Sequence, residues 1–153
     1  MKAITILQPW ATLIAIGEKK FETRSWSTKH RGQLAIHAGK KVDRAACEEP
    51  EIKEALARHG YTVDNLPIGA VVAVCDLMEC WKIQRHDGMI YKVGHEFPFN
   101  ELDECEEIWG NELAFGWYDD GRYAWELSNV QRMSTPIRAK GQQGLWNWEE
   151  ITC

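Results

Sequence analysis

Short stretches in which apolar and polar residues alternate recur along the chain and predict β-strands. Successive side chains of a strand point to opposite faces, so such stretches suit a sheet with at least one buried face. The most apolar stretch, residues 70–81, is rich in Val and predicts a central strand. The predicted strands cover residues 3–7, 20–26, 33–38, 70–81, 123–127 and 133–139.

Helical patterns lie between these strands. Pro9 suits the first position of a helix that follows the first strand. Residues 43–59 predict a second helix, which Pro50 interrupts or restarts. Residues 86–100 have little periodicity and predict a loop, and the acidic residues 101–109 predict a short helix. Short strands with two or three helices favour a small mixed barrel.

Length and composition limit the class of protein. A chain of 153 residues has the size of one domain with one core. We find no signal-peptide pattern and no apolar run of the roughly 20 residues that span a bilayer. Five cysteines without C-x-x-C spacing favour reduced thiols over a disulfide framework or a zinc site. We expect one cytoplasmic domain over residues 1–153, without a metal, a cofactor or a membrane partner.

Charge is distributed unevenly along the chain, whose formal net charge is -5. Residues 1–44 carry nine Lys or Arg against three Asp or Glu, whereas residues 48–120 carry five against seventeen. The acidic excess disfavours an extended footprint on a nucleic-acid duplex. The basic N-terminal part still permits a compact site for one nucleotide or a free nucleoside, and the eight tryptophans suit either a core or the stacking of planar ligands.

Residues 17–24, Gly-Glu-Lys-Lys-Phe-Glu-Thr-Arg, concentrate charges of both signs. In a strand, Glu22 and Arg24 share one face and Phe21 faces the other way, while the preceding glycine lets Lys19 turn toward the same cleft. An amine, a carboxylate and a guanidinium that converge in this way suit a polar, planar ligand such as a nucleobase. The alternative is a surface strand with solvated charges.

The pattern Gly17-x-Lys19-x-x-Glu22-x-Arg24 resembles the signature of the ASCH domain, a PUA-like family linked to RNA and modified nucleosides. Further segments resemble the same family in the same order, namely residues 6–11, 23–26, 31–38, 123–127 and 136–146. The resemblance implies an α+β fold, a single small PUA-like mixed β-barrel with peripheral helices. It also implies, as the leading hypothesis, a module that binds RNA, a nucleotide or a modified nucleoside.

Lys19 and Glu22 are the catalytic candidates. Some ASCH members are amidohydrolases that act on N4-acetylcytidine with a lysine at the position of Lys19. By that resemblance Lys19 would be the base or nucleophile and Glu22 would carry protons. In that branch a threonine stands where this chain has Glu22, so the match is incomplete, and a structural ion pair is the alternative. A metal-independent amidohydrolase, a ribonuclease and a protein-interaction module are the alternatives to a binding module.

Other residues are candidates for ligand contacts. The planar guanidinium of Arg24 suits a phosphate or a base edge, and a pair with Glu22 is the alternative. His37 is a candidate acid or phosphate contact, and a hydrogen-bonded structural histidine is the alternative. The remaining candidates are of three kinds. Tryptophans can stack on a base, glutamine amides can recognise a base edge, and lysines can attract phosphate. Core packing is the alternative for the tryptophans. These candidates are Gln8, Trp10, Trp26, Lys40, Lys140, Gln143 and Trp146.

Overall fold

The computed structural model describes residues 1–86, 89–93, 105–108 and 110–149. These residues form an α+β fold, as predicted. The strands are β1 (Lys2–Gln8), β2 (Phe21–Arg24), β3 (Gly32–Val42), β4 (Ala70–His86), β5 (Met89–Val93), β6 (Cys105–Ile108), β7 (Tyr123–Arg138) and β8 (Leu145–Asn147). The helices are α1 (Trp10–Ala15), α2 (Arg44–Cys47), α3 (Pro50–Arg58) and α4 (Asn111–Phe115).

One mixed sheet carries the fold, in the order β2-β7-β4-β3-β1-β8. Strand β1 is parallel to β3, and the other neighbours along this order are antiparallel. Strand β5 pairs with the end of β4 and also with β6.

The predicted mixed β-barrel does not close in the part of the chain that the structure describes, where the sheet stays open between β2 and β1. Strand β8 is only three residues long and pairs with residues 2–4 of β1. Strand β2 is only four residues long and pairs with β7. Neither strand reaches the second half of β1, so its edge faces β2 across a gap.

The strands predicted within residues 1–81 are confirmed, and several are longer than predicted. The two segments predicted near the C-terminus are instead one strand, β7, which follows β4 through several register shifts. Asn129 has a φ of 50° within it. Pro50 restarts a helix, as one of the two predicted alternatives had it, because α2 ends at Cys47 and α3 begins at Pro50.

Two predictions for the middle of the chain are wrong where the structure describes them. Cys105–Ile108 is strand β6 and not part of an acidic helix, and Met89–Val93 is strand β5 and not a loop. Pairing between these two strands and with β4 overrides the local preference of their residues. The rest of the two predicted segments, apart from His86 at the end of β4, lies outside the described residues.

The sheet packs against α1 through a buried cluster that includes Ile4, Ile14, Ile36 and Trp125. A second cluster joins α1, α3 and α4 through Leu13, Ile52 and Phe115 and related side chains. The second cluster holds α4 beside the gap in the sheet, and Phe21 of β2 packs against a further buried cluster that includes Ile83 and Tyr118. None of the described helices is long and apolar enough to cross a membrane.

Candidate nucleic-acid interface

A cleft of about 480 Å³ occupies the gap between the open edge of β1 and strand β2, and we call it the β1–β2 cleft. Residues 5–7 of β1 line one side and residues 22–24 of β2 line the other. Residues 114–117 at the end of α4, together with Trp10 and Arg122, complete much of its wall. The cleft therefore lies where the sheet fails to close.

Arg24 bridges the two sides of the β1–β2 cleft. One terminal nitrogen of its guanidinium donates to the main-chain oxygen of Thr5 at 2.9 Å and to Oε2 of Glu22 at 3.1 Å. The side chain is 26% exposed and lines the cleft. Arg24 thus forms the pair with Glu22 and lines the cleft at the same time.

Glu22 lies between two cations. Its Oε1 accepts a hydrogen bond from the main-chain nitrogen of Thr23 at 3.2 Å and lies 3.8 Å from Nζ of Lys19. Its Oε2 is held by Arg24, and only 9% of the side chain is exposed. The result is an oriented carboxylate in the wall of the cleft, which is a hydrogen-bond acceptor for a ligand with N–H or O–H groups.

Lys19 lies behind Glu22 and does not line the cleft. The residue is 1% exposed, and its Nζ donates to the main-chain oxygen of Phe21 at 2.5 Å. Burial lowers the pKa of the Lys19 amine, and the negative charges of Glu22 and Glu112 oppose that shift. The structural ion pair considered for Lys19 and Glu22 is therefore present.

Glu112 of α4 is a supporting residue that the sequence analysis missed. Its Oε1 accepts from the main-chain nitrogen of Lys20 at 2.5 Å, across 92 positions of sequence. Burial raises the pKa of the Glu112 carboxyl, and the nearby charge of Lys19 acts in the opposite direction. Burial also raises the pKa of the Tyr118 hydroxyl, together with the charges of Glu112 and Glu22. No local sequence motif predicts the contact between Glu112 and Lys20, because it joins two distant segments.

The segment after α4 approaches β2 closely because residue 116 is glycine. A Cβ at Gly116 would lie 2.7 Å from a ring carbon of Tyr118 and 3.2 Å from the methyl group of Thr23. The hydroxyl oxygen of Thr23 accepts from the main-chain nitrogen of Trp117 at 3.0 Å. Thr23 follows Glu22 directly in β2 and so points to the opposite face of the strand, yet both residues border the cleft because this segment folds over the strand.

Gln8 and Trp26, two of the predicted ligand contacts, do not line the β1–β2 cleft. The amide nitrogen of Gln8 donates to the hydroxyl of Thr12 and to the main-chain oxygen of Pro67, both at 2.7 Å. Its amide oxygen accepts from the main-chain nitrogen of Thr12, so this buried side chain fixes the start of α1. Trp26 packs edge-on against Trp125, with ring centroids 4.9 Å apart. Both side chains therefore have structural contacts within the fold.

His37 and Trp146 come together but do not line the cleft, and they belong to what we call the His37 cluster (Thr5, His37, Ala139, Gly141 and Trp146). Nε2 of His37 donates to the main-chain oxygen of Ala139 at 2.7 Å, and its ring lies edge-on to Trp146 at 5.5 Å. Nε1 of Trp146 donates to the hydroxyl of Thr5 at 3.1 Å. Both aromatic side chains are buried. Lys40, Lys140 and Gln143 are exposed and do not line the cleft.

The chain is similar to proteins of a known family. The model of the ASCH domain matches residues 4–137. Activating signal cointegrator 1 from Mus musculus and its counterpart from Homo sapiens are each 37% identical to the chain over 147 residues. The match covers 94% of this chain and 21% of each relative, so the chain spans about a fifth of their length.

Proposed function

The chain belongs to the ASCH domain family, which is related to RNA binding, and from this premise we propose that it binds one nucleotide of single-stranded RNA, or a modified nucleoside, in the β1–β2 cleft. The observation that carries the proposal is the oriented Glu22–Arg24 pair in the wall of a cleft of about 480 Å³. Clefts for small ligands commonly have volumes of about 300–1,000 Å³.

The chemistry of the cleft suits a base more than a long stretch of phosphates. Glu22 offers an acceptor for the N–H groups of a base, and Arg24 offers donors for its oxygen and nitrogen acceptors. Glu49 and Arg122 add one further charge of each sign to the wall. A balanced set of charges gives little attraction for a polyanion by itself. Hydrogen bonds and stacking to a single nucleotide therefore supply most of the binding free energy.

Binding of a short single-stranded RNA of mixed sequence, measured by fluorescence anisotropy at low salt, tests this proposal. We expect Arg24→Gln to weaken binding at least about tenfold, since a charged donor in the cleft is lost. Arg138→Gln is the matched control, because Arg138 is exposed and does not line the cleft. Circular dichroism checks that both variants are folded.

Two results would overturn the proposal. One is the absence of binding by the wild type to RNA and to a panel of free and modified nucleosides. The other is an equal loss of affinity in Arg24→Gln and Arg138→Gln, which would indicate attraction by overall charge and not by the cleft.

A second candidate function is hydrolysis of an acylated nucleoside, and the lowered pKa of the buried Lys19 amine favours it. The position of Lys19 behind Glu22 supports binding more than turnover, since the amine does not line the cleft. Incubation with N4-acetylcytidine followed by mass spectrometry separates the two functions. Deacetylated product that forms with the wild type and not with Lys19→Arg would place hydrolysis first.

A further inference from the structure

Trp117 is an exposed tryptophan whose ring is fixed by polar contacts. The residue is 61% exposed, the largest fraction among the exposed large hydrophobic residues of the described chain. The guanidinium carbon of Arg122 lies 4.1 Å from the centroid of its ring, and Nε of Arg122 donates to the main-chain oxygen of Trp117 at 3.1 Å. The indole N–H donates to Oδ2 of Asp119.

These contacts hold the ring without burying it. The ring is restricted by the cation above one face and by the carboxylate at the indole N–H. The backbone is restricted by the hydrogen bond from the main-chain nitrogen of Trp117 to Thr23. The buried Trp125, at 0% exposure, differs in that apolar neighbours surround its ring, although its indole N–H donates to the main-chain oxygen of Trp26 at 3.4 Å. A rigid aromatic ring that is left open to solvent loses little conformational entropy when a flat ligand covers it.

Trp117 also lies in the wall of the β1–β2 cleft, together with Arg122, Glu22 and Arg24. The hydrogen-bonding groups of β2 and the exposed Trp117 therefore border the same space. A nucleobase presents both features that this arrangement matches, a polar edge and a flat π face.

We propose that Trp117, held by Arg122 and Asp119, is the stacking platform for a nucleobase whose edge meets Glu22 and Arg24. This inference rests on the proposed function and deepens it, because it names the face of the ligand that the cleft recognises. It predicts a ligand class of unpaired bases, since a base within a duplex has both faces covered by its neighbours. It also assigns Arg122 a positioning role, in which the guanidinium fixes the ring and adds a positive charge at the rim of the cleft.

The test compares two fluorescently labelled eight-residue RNAs, an oligouridine and an abasic strand with the same number of phosphates. Four proteins are compared by anisotropy, namely the wild type, Trp117→Ala, Trp117→Phe and Arg24→Gln. We expect the wild type to bind oligouridine at least about tenfold more tightly than the abasic strand, a ratio within the range for stacking of one base. Trp117→Ala should remove most of that ratio while its affinity for the abasic strand stays the same. Trp117→Phe should retain most of the ratio because an aromatic face remains.

Each outcome decides between the two proposals. A wild type that prefers oligouridine, with a ratio that Trp117→Ala leaves unchanged, overturns the stacking platform while the proposed function stands. An equal loss of affinity for both strands in Trp117→Ala also overturns it, since the residue would then act through the structure of the cleft. A wild type that binds neither strand, nor any nucleoside, overturns the proposed function and this inference with it. A loss of affinity for oligouridine in Arg24→Gln, with a stacking ratio that still depends on Trp117, supports both.

Discussion

The β1–β2 cleft and the His37 cluster contain similar kinds of side chains, yet they differ in how far the backbone covers them. Glu22, Arg24 and Trp117 line a cleft of about 480 Å³, whereas His37 and Trp146 are buried. Thr5 belongs to both regions. Its main-chain oxygen accepts from Arg24, and its hydroxyl accepts from Trp146.

The difference between the regions follows from how the backbone covers β1. In the His37 cluster, β8 pairs with the first half of β1, and Gly141 approaches so closely that a Cβ there would lie 2.7 Å from a ring carbon of His37. In the cleft, no described strand pairs with the second half of β1 on the side that faces β2. Glu22 and Arg24 thus border an open cleft where strand pairing along β1 stops, whereas His37 is buried where β8 and Gly141 approach the same strand.

The largest expected effect concerns the ion pair behind the cleft. Lys19→Met should lower the free energy of unfolding by about 3 kcal/mol, since removal of one partner leaves a buried carboxylate with less compensation. Urea denaturation measures this loss. Lys40→Met, at an exposed position, is the matched control and should change the same quantity by less than about 0.5 kcal/mol. Equal stability of the two variants would mean that the cleft does not depend on this buried pair.

A pair of glycine substitutions should separate the two regions. Gly116→Ala and Gly141→Ala should each lower the free energy of unfolding by about 1–3 kcal/mol, because the added methyl group meets atoms closer than 3.0 Å. Only Gly116→Ala should also weaken RNA binding, since it displaces the segment that carries Trp117. Urea denaturation and anisotropy of labelled RNA measure the two effects.

Gly39→Ala is the control for these substitutions, because the nearest atom to its added Cβ lies 3.4 Å away, at the edge of ordinary contact. It should leave both stability and binding close to those of the wild type. A loss of binding in Gly141→Ala that matches the loss in Gly116→Ala would show that the two regions are not independent.

The smallest expected effect is a change in how stability depends on pH. Burial raises the pKa of Glu112 above its ordinary value of 4.5, so the folded state binds more protons than the unfolded state above that pH. The stability contributed by the protonated carboxyl is therefore fully present below pH 4.5 and is lost as the pH rises through the pKa of the folded state. As the pH rises from 4.5 through the pKa of Glu112 in the folded state, the free energy of unfolding of the wild type should fall relative to that of Glu112→Gln.

Urea denaturation of both proteins from acidic to neutral pH measures this difference, and Glu51→Gln at an exposed position is the control. A difference between wild type and Glu112→Gln that stays constant with pH, or that changes in the opposite direction, would contradict the assigned effect of burial. In that case the carboxyl under β2 would be better solvated than its position suggests.

Local pattern alone determined several parts of this protein. Alternation placed the strands of the first half of the chain, and the same two-residue period put Glu22 and Arg24 on one side of β2. The ordered motifs identified the family, which the match over residues 4–137 confirms. These features depend on residues close together in sequence, so a linear pattern contains them.

Tertiary structure alone decided the rest. The open sheet, strands β5 and β6, and the support that Glu112 gives to β2 depend on pairing and contacts between distant segments. Trp117 reaches Thr23 across 94 positions of sequence. The amide nitrogen of Gln8 donates to a main-chain oxygen 59 positions away, and Nε2 of His37 donates to one 102 positions away. Whether a polar side chain faces a ligand or another part of the chain is set by which distant backbone covers it, and no local spacing encodes that choice.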